Sequence, residues 1–361
     1  MLEDLPSPAG KAVLVRATFD RPLAADPARP LALRRARGLA ATVEWLIGRG
    51  ARVTVCGNTE GPAAAGAPDG LDGVRRAVGT ASSFGKMPDS VAFRSSPEDP
   101  EEVGLLVKRH DLFVNDTLQD SILPLPSLML PPRSLPSAAG RTLQHDLELL
   151  DGLLSDPARP FVAVLGGERS FDRLHGLRGL VLRADTVLLG GALALPMLQA
   201  LGRQPDDELT EAFLWECRNL IGLSRRVRHQ IMVPFDLVWR GADGSVEVTP
   251  DDVRHGGELV DIGPLTRVRF AEVLGTAGLT LWAGALGKVE EPVFAQGTRE
   301  VAASLTRKAP VVLGGDALVA LLGPADLVPP SADMLSATDA AIELLKSGDL
   351  PALAALRRPN R

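Results

Sequence analysis

Four apolar runs in the second half of the chain each close on small residues. Phe161–Leu165 precedes Gly166-Gly167, Val187–Leu189 precedes Gly190-Gly191, Leu279–Trp282 precedes Ala283-Gly284, and Val311–Leu313 precedes Gly314-Gly315. A residue without Cβ lets a phosphate approach the backbone, and open α/β sheets take their ligands beyond the carboxyl ends of strands. A tight turn alone accounts for any single pair; four pairs in the same relation to four strands point to a nucleotide crevice. The basic run Arg225, Arg226, Arg228 and His229 reads as a solvated helix end. The five His, at 110, 145, 175, 229 and 255, have no metal-ligand spacing. Cys56 and Cys217 form neither a C-x-x-C pair nor a disulfide framework, which suits a reducing compartment.

These loops need a framework to hold them. Val13–Phe19 is an apolar, β-branched-rich run closed by Asp20-Arg-Pro; Leu39, Val43, Leu46 and Ile47 then recur at helical spacing before a second run, Val53–Cys56. Leu112–Val114 offers a further strand. Runs that are apolar throughout, without alternation, imply strands buried on both faces, as in parallel sheets covered by helices. Leu143, Leu147, Leu149, Leu150 and Leu153 form a helix that reads as the connector between two lobes. With 361 residues, 45% hydrophobic and 23% charged, the chain can build two cores. A net charge of −6 argues against a surface made to neutralise nucleic-acid backbones. The start, Met-Leu-Glu-Asp-Leu-Pro, lacks a basic segment followed by an apolar one, and no apolar stretch reaches the roughly 20 residues that span a bilayer. The expectation is a cytoplasmic protein with no membrane or nucleic-acid partner.

The ordered motifs resemble those of the phosphoglycerate kinase family. Val-Leu-Val-Arg-Ala-Thr-Phe-Asp-Arg-Pro-Leu at 13–23 resembles the family's V-L-V-R-V-D-F-N-V-P-L opening, and Val114-Asn115-Asp116 its V-N-D. Leu135-Pro-Ser-Ala-Ala-Gly140 is similar to the start of its interdomain helix. Pro160 to Gly167, Asp261-Ile-Gly-Pro264, Trp282-x-Gly-x-x-Gly287 and Gly314-Gly-Asp316 resemble strand ends of its nucleotide lobe. The resemblance implies an α/β fold of two Rossmann-like lobes, each a parallel sheet flanked by helices, joined by an interdomain helix. It divides the chain into a glycerate-side lobe at 1–140, the helix at 141–155, a nucleotide lobe at 156–345, and a tail at 346–361 returning to the first lobe. It also implies a monomer, with Mg-ATP or Mg-ADP as the nucleotide and no assigned protein partner.

Family members move a phosphoryl group between 1,3-bisphosphoglycerate and Mg-ADP, a reaction that depends on positioning and on cations around the moving group. On the glycerate side the resemblance implies roles for Arg16, Thr18, Asp20, Asn58 and Arg94, with Arg35 at the position of the catalytic arginine. The basic loop S-H-L-G-R-P is here Gly57-Asn-Thr-Glu-Gly-Pro62, so Asn58 and Gly61 replace a His and an Arg. On the nucleotide side it implies Gly166, Gly167, Arg169, Arg173, Gly190, Gly191, Glu290, Gly314, Gly315, Asp316 and Thr338, with Arg169 also catalytic and Asp316 meeting Mg through the nucleotide. Arg169 and Arg173 stand where the family has lysines, and an Arg fork does not reproduce a Lys point charge. The triple glycine that cradles the moving phosphate is replaced by Ala337-Thr338-Asp339, in which Thr338 and Asp339 read as helix caps. A carboxylate about 5 Å from a phosphoryl charge costs on the order of 3 kcal/mol at an effective dielectric near 20. The reading is a paralogue with impaired phosphoryl transfer that keeps an adenine-nucleotide site. The alternatives are an active kinase of phosphoglycerate or a related acid, and a scaffold that uses the old cleft for a partner.

Overall fold

Strand β1 (Ala12–Arg16) shows why its apolar run is unbroken. Val13 and Val15 enter one buried cluster, while Leu14 between them enters another with Cys56 and Phe113. Both faces are covered, so neither face needs polar residues. The first cluster is closed by α1 (Pro30–Ile47), whose Ala36, Leu39, Ala40, Val43 and Leu46 fall on one helical face. The computed structural model describes residues 1–19, 30–57, 70–203, 209–250, 257–305 and 309–357.

The chain divides into two units, Met1–Leu150 with Ser347–Arg361, and Asp151–Lys346. In the first unit, β2 (Arg52–Gly57), α2 (Gly70–Ala81), β3 (Ala92–Ser95), α3 (Pro100–Val107), β4 (Leu112–Asn115) and β5 (Ser137–Ala139) follow α1. The five strands are parallel, in the order β3-β2-β1-β4-β5. The 13–19 run is strand only as far as Arg16. Residues 137–139 pair with β4, and the connecting helix, α4 (Arg141–Ser155), starts after Gly140.

The second unit contains β6 (Phe161–Leu165), α5 (Phe171–Val181), β7 (Thr186–Leu189), α6 (Ala194–Ala200), α7 (Glu211–Val227) and β8 (Gln230–Met232). It continues through β9 (Asp236–Gly241), β10 (Val246–Pro250), β11 (Gly257–Ile262), α8 (Pro264–Gly275), β12 (Leu279–Ala283) and α9 (Gln296–Ala302). It ends with β13 (Val311–Gly314), α10 (Asp316–Leu322), β14 (Ala332–Met334) and α11 (Thr338–Ser347). Six strands form a parallel sheet in the order β14-β13-β12-β6-β7-β8. The order reverses between β6 and β12, the place where such sheets hold ligands. A separate antiparallel sheet, β10-β9-β11, is an addition to the two parallel sheets read from the sequence. Finally α12 (Pro351–Leu356) brings Ala352 into the first unit's cluster of Leu14, Cys56 and Phe113. No helix among the described residues is long and apolar enough to cross a membrane.

Candidate functional site

In the first unit two of the residues expected to meet a substrate, Arg16 and Arg35, are buried in the lobe. Arg16, at the end of β1, has no exposed surface. Its Nε donates to Ser127 Oγ at 3.1 Å, and its NH1 and NH2 lie 2.8 Å from Asp120 and 3.5 Å from Glu98. Burial and two carboxylates make Arg16 a lock inside the lobe. Thr18 shares a hydroxyl contact with Thr117. Arg35 is buried on α1, 6% exposed, and Arg94 is exposed on the edge strand β3. Asp20, Asn58, Glu60 and Gly61 lie outside the described residues.

The V-N-D segment holds structure together at the start of α4. Asn115 Oδ1 accepts from the Thr117 N–H at 3.0 Å, and its amide donates to Ser121 at 3.1 Å. Asp116 accepts from the Thr142 N–H at 2.9 Å, the Thr142 hydroxyl at 3.0 Å and the Thr42 hydroxyl at 3.2 Å. It thereby joins the first turn of α4 to α1. Burial pushes its carboxyl up to about 7, although every one of those donors pulls the other way. Asp236 serves α8 in the same manner, accepting from Leu265 N at 2.9 Å and Thr266 N at 2.8 Å. Asp261 of the D-I-G-P segment grips the Gly297 N–H at 2.7 Å, and burial raises its carboxyl to about 6.

The four glycine-closed strand ends meet in the second unit. Gly167 N–H donates to Ala285 O at 2.7 Å, Gly191 N–H to Leu286 O at 2.9 Å, and Gly284 N–H to Gly314 O at 3.1 Å. Gly190 N–H bonds back to Leu165 O at 2.9 Å. The geometry explains the residue type at two places. A Cβ on Gly166 would stand 2.0 Å from Ala285 O, and Gly191, at φ 57°, would put one 2.7 Å from Gly167 N. Backbone thus packs on backbone at the switch point, and the N–H groups named are taken by the lobe's own carbonyls. Trp282, fully buried, ties the same corner through Nε1 to Gly284 O at 2.8 Å.

Arg173 closes this corner. Ser170 caps α5 by accepting the Arg173 N–H, and the Arg173 side chain folds back so that NH1 donates to Gly166 O at 2.6 Å. Its NH2 faces Asp339 at 3.6 Å across the start of α11. Thr338 and Asp339 are the first two residues of that helix, and Ala337 O accepts from the Ala341 N–H, so the expected caps lie one turn position too far in. Thr338 nevertheless fits tightly, its Oγ1 2.3 Å from where a Cβ on Gly314 would be. Asp339 still suits the positive helix start. Arg169 and Asp316 are partly buried, Gly315 precedes α10 at φ 100°, and Glu290 is exposed.

One charged group went unread in the sequence. Arg240 on β9 holds Glu291 through two bonds, at 2.7 and 3.0 Å, and also pairs with Glu258, which Lys288 reaches at 2.5 Å. Lys288 and Arg240 hold the Glu258 carboxyl below its ordinary value, and Arg240 does the same for Glu291. Among the described residues no group of three or more His, Cys, Asp or Glu could hold a metal ion.

Two parallel α/β sheets, one with its strand order reversing at glycine-rich loops, define a protein built from two nucleotide-fold units. The chain belongs to the phosphoglycerate kinase family, whose model matches residues 91–346. It is 31% identical over 269 residues to the phosphoglycerate kinase of Herpetosiphon aurantiacus, covering 73% of this chain and 68% of that one. It is 37% identical over 236 residues to the phosphoglycerate kinase of Frankia casuarinae, covering 62% and 57% respectively. The fold matches the solved phosphoglycerate kinase structures of Pyrococcus horikoshii, with TM-score 0.78 and 21% identity over 99% and 98% of the two chains, and Coxiella burnetii, with 0.75 and 22% over 97% of each.

Proposed function

We propose that this chain is a phosphoglycerate kinase paralogue that keeps the two-lobed scaffold, has lost most or all phosphoryl transfer, and retains an adenine-nucleotide site. One observation carries the reading. The Arg173 guanidinium, which stands for a family lysine, is spent on Gly166 O and faces Asp339, the residue that replaces a phosphate-cradling glycine. A cation already answered by a carboxylate stabilises a moving phosphoryl group less, and Asp339 itself repels one. The burial of Arg16 against Glu98 and Asp120 removes a second cation on the glycerate side. What remains for a nucleotide is the set Gly190, Gly191, Gly314, Gly315 and Asp316, with Arg169 as a surviving cation and Mg entering with the nucleotide; Arg35 keeps the position of the catalytic arginine on the glycerate side. The same reading carries a monomer working in the cytoplasm.

A coupled assay with 3-phosphoglycerate and ATP tests it, run beside a family member with intact glycines. The expected rate is lower by on the order of a hundredfold or more, the effect of about 3 kcal/mol on a barrier. A rate within about tenfold of that reference overturns the reading. Asp339→Gly should raise whatever activity is found. Mg-ADP at about a hundred times its dissociation constant should add roughly 2.7 kcal/mol of stability, and no thermal shift at millimolar ADP would remove the nucleotide site from the proposal.

A further inference from the structure

The amino-terminal edge of β6, β7 and β8 collects arginines. Arg159 precedes β6, Arg183 lies between α5 and β7, and Arg228 with His229 lies between α7 and β8. These connections are tied side by side: Arg159 NH1 donates to Arg183 O at 2.7 Å, His229 Nδ1 is 2.9 Å from Val181 O, and Gln230 N–H donates to Asp185 O at 2.9 Å. Arg178, in the last turn of α5, and Arg225 and Arg226, in the last turn of α7, add to the same face. Arg178, Arg225, Arg226 and Arg228 are all exposed. Among the described residues no carboxylate pairs with these four or with Arg183. Asp185 is held by Arg159 at 3.0 Å and by the Phe161 N–H, and Asp156 is the other acid on these connections.

Helix dipoles favour cations in a last turn, which accounts for Arg178, Arg225 and Arg226. They do not account for Arg228. It stands beyond α7 with φ 60° and ψ 27°, the left-handed conformation in which a helix normally ends on glycine. The chain adopts an unfavourable backbone geometry for an arginine whose side chain makes no hydrogen bond or ion pair with any described residue. A local rule broken without a compensating contact marks a position held for something outside the fold.

We propose that this face is a docking surface for an acidic protein segment that presents several carboxylates close together. Planar guanidinium forks match carboxylates in pairs. A long nucleic acid is disfavoured, because it would run past the cluster onto a chain whose net charge is −6, and Phe161, the aromatic residue next to Arg159-Pro160, is fully buried and cannot stack on a base.

Fluorescence anisotropy of a dye-labelled decaglutamate peptide against the full chain tests this. The peptide should bind, and binding should weaken as ionic strength rises from about 50 to about 200 mM. Reversing Arg225→Glu, Arg226→Glu and Arg228→Glu together should weaken it on the order of tenfold or more, while Lys108→Glu with Arg109→Glu, exposed in the first unit, should change it less than about twofold. Arg228→Gly separates docking from folding: it should raise the melting temperature and still weaken the peptide. The proposal is overturned by a wild-type chain that ignores the peptide at low salt, by reversed variants that bind equally, by an Arg228→Gly chain with unchanged affinity, or by an oligothymidylate of equal charge that binds more tightly than the peptide.

Discussion

At the carboxyl end of β1 the first unit buries a guanidinium between two carboxylates, whereas at the carboxyl end of β6 the second unit lays glycine against a neighbouring carbonyl. Both places are strand ends in parallel sheets at a reversal of strand order. The first is fastened by charges whose partners come from distant loops, the second by the absence of side chains. A charged lock tolerates small movements of its backbone but fails when one partner goes. A glycine contact has no partner to lose, yet admits no added atom. The guanidinium at the end of β1 is therefore consumed by its own lobe, while the second unit leaves its chemistry to whatever side chains, such as Arg173, reach over the packed backbone.

The contrast makes graded predictions. Arg16→Met leaves Glu98 and Asp120 facing an apolar side chain and should cost about 3–5 kcal/mol in urea denaturation; a loss below about 1 kcal/mol would mean that charge does not hold this end. Gly166→Ala should cost about 2–3 kcal/mol, since the added methyl meets backbone that cannot step aside. An unchanged melt would show that the close approach is dispensable and the contrast empty. Asp116→Asn should cost about 1–2 kcal/mol and also change the pH response. Asp116 titrates at about 7 folded, against an ordinary value of 3.8, so between those values the folded chain holds the extra proton and stability falls as pH rises. The advantage of wild type over Asp116→Asn should thus shrink from pH 4 toward pH 7, and a widening gap would contradict the burial argument. Ser170→Ala, which removes a single cap in the glycine-fastened unit, should cost about 1 kcal/mol.

The sequence was most legible where strands are covered on both faces. β6 and β13 are unbroken apolar runs, and β1, β4, β7 and β12 are nearly so, because almost every residue in them is buried. β3, β8 and β14 lie at sheet edges, with mixed sequences such as Ala-Phe-Arg-Ser that carry no period. The antiparallel sheet did leave a signal, the Asp243-Gly244 pair between β9 and β10, where Asp243 accepts from the Ser245 N–H and Gly244 has φ 83°. In the site, the glycine pairs could be read because their residue type is the feature. The inward turn of Arg16 could not, because Ser127 is 111 residues away and nothing local announces the meeting. The pairing of Arg173 with Asp339 is hidden for the same reason.

Residues from Ser347 on belong with the first unit, while Asp151–Lys346 form the second without interruption. Ala352 fills a pocket beside Leu14, Cys56 and Phe113. On the ribosome the second unit can therefore mature as soon as it has emerged, whereas residues near the start must wait with an uncovered apolar face until α12 has been translated. The earliest-synthesised unit is the last to be sealed, and in that interval its exposed strands depend on chaperones or on speed to stay out of aggregates.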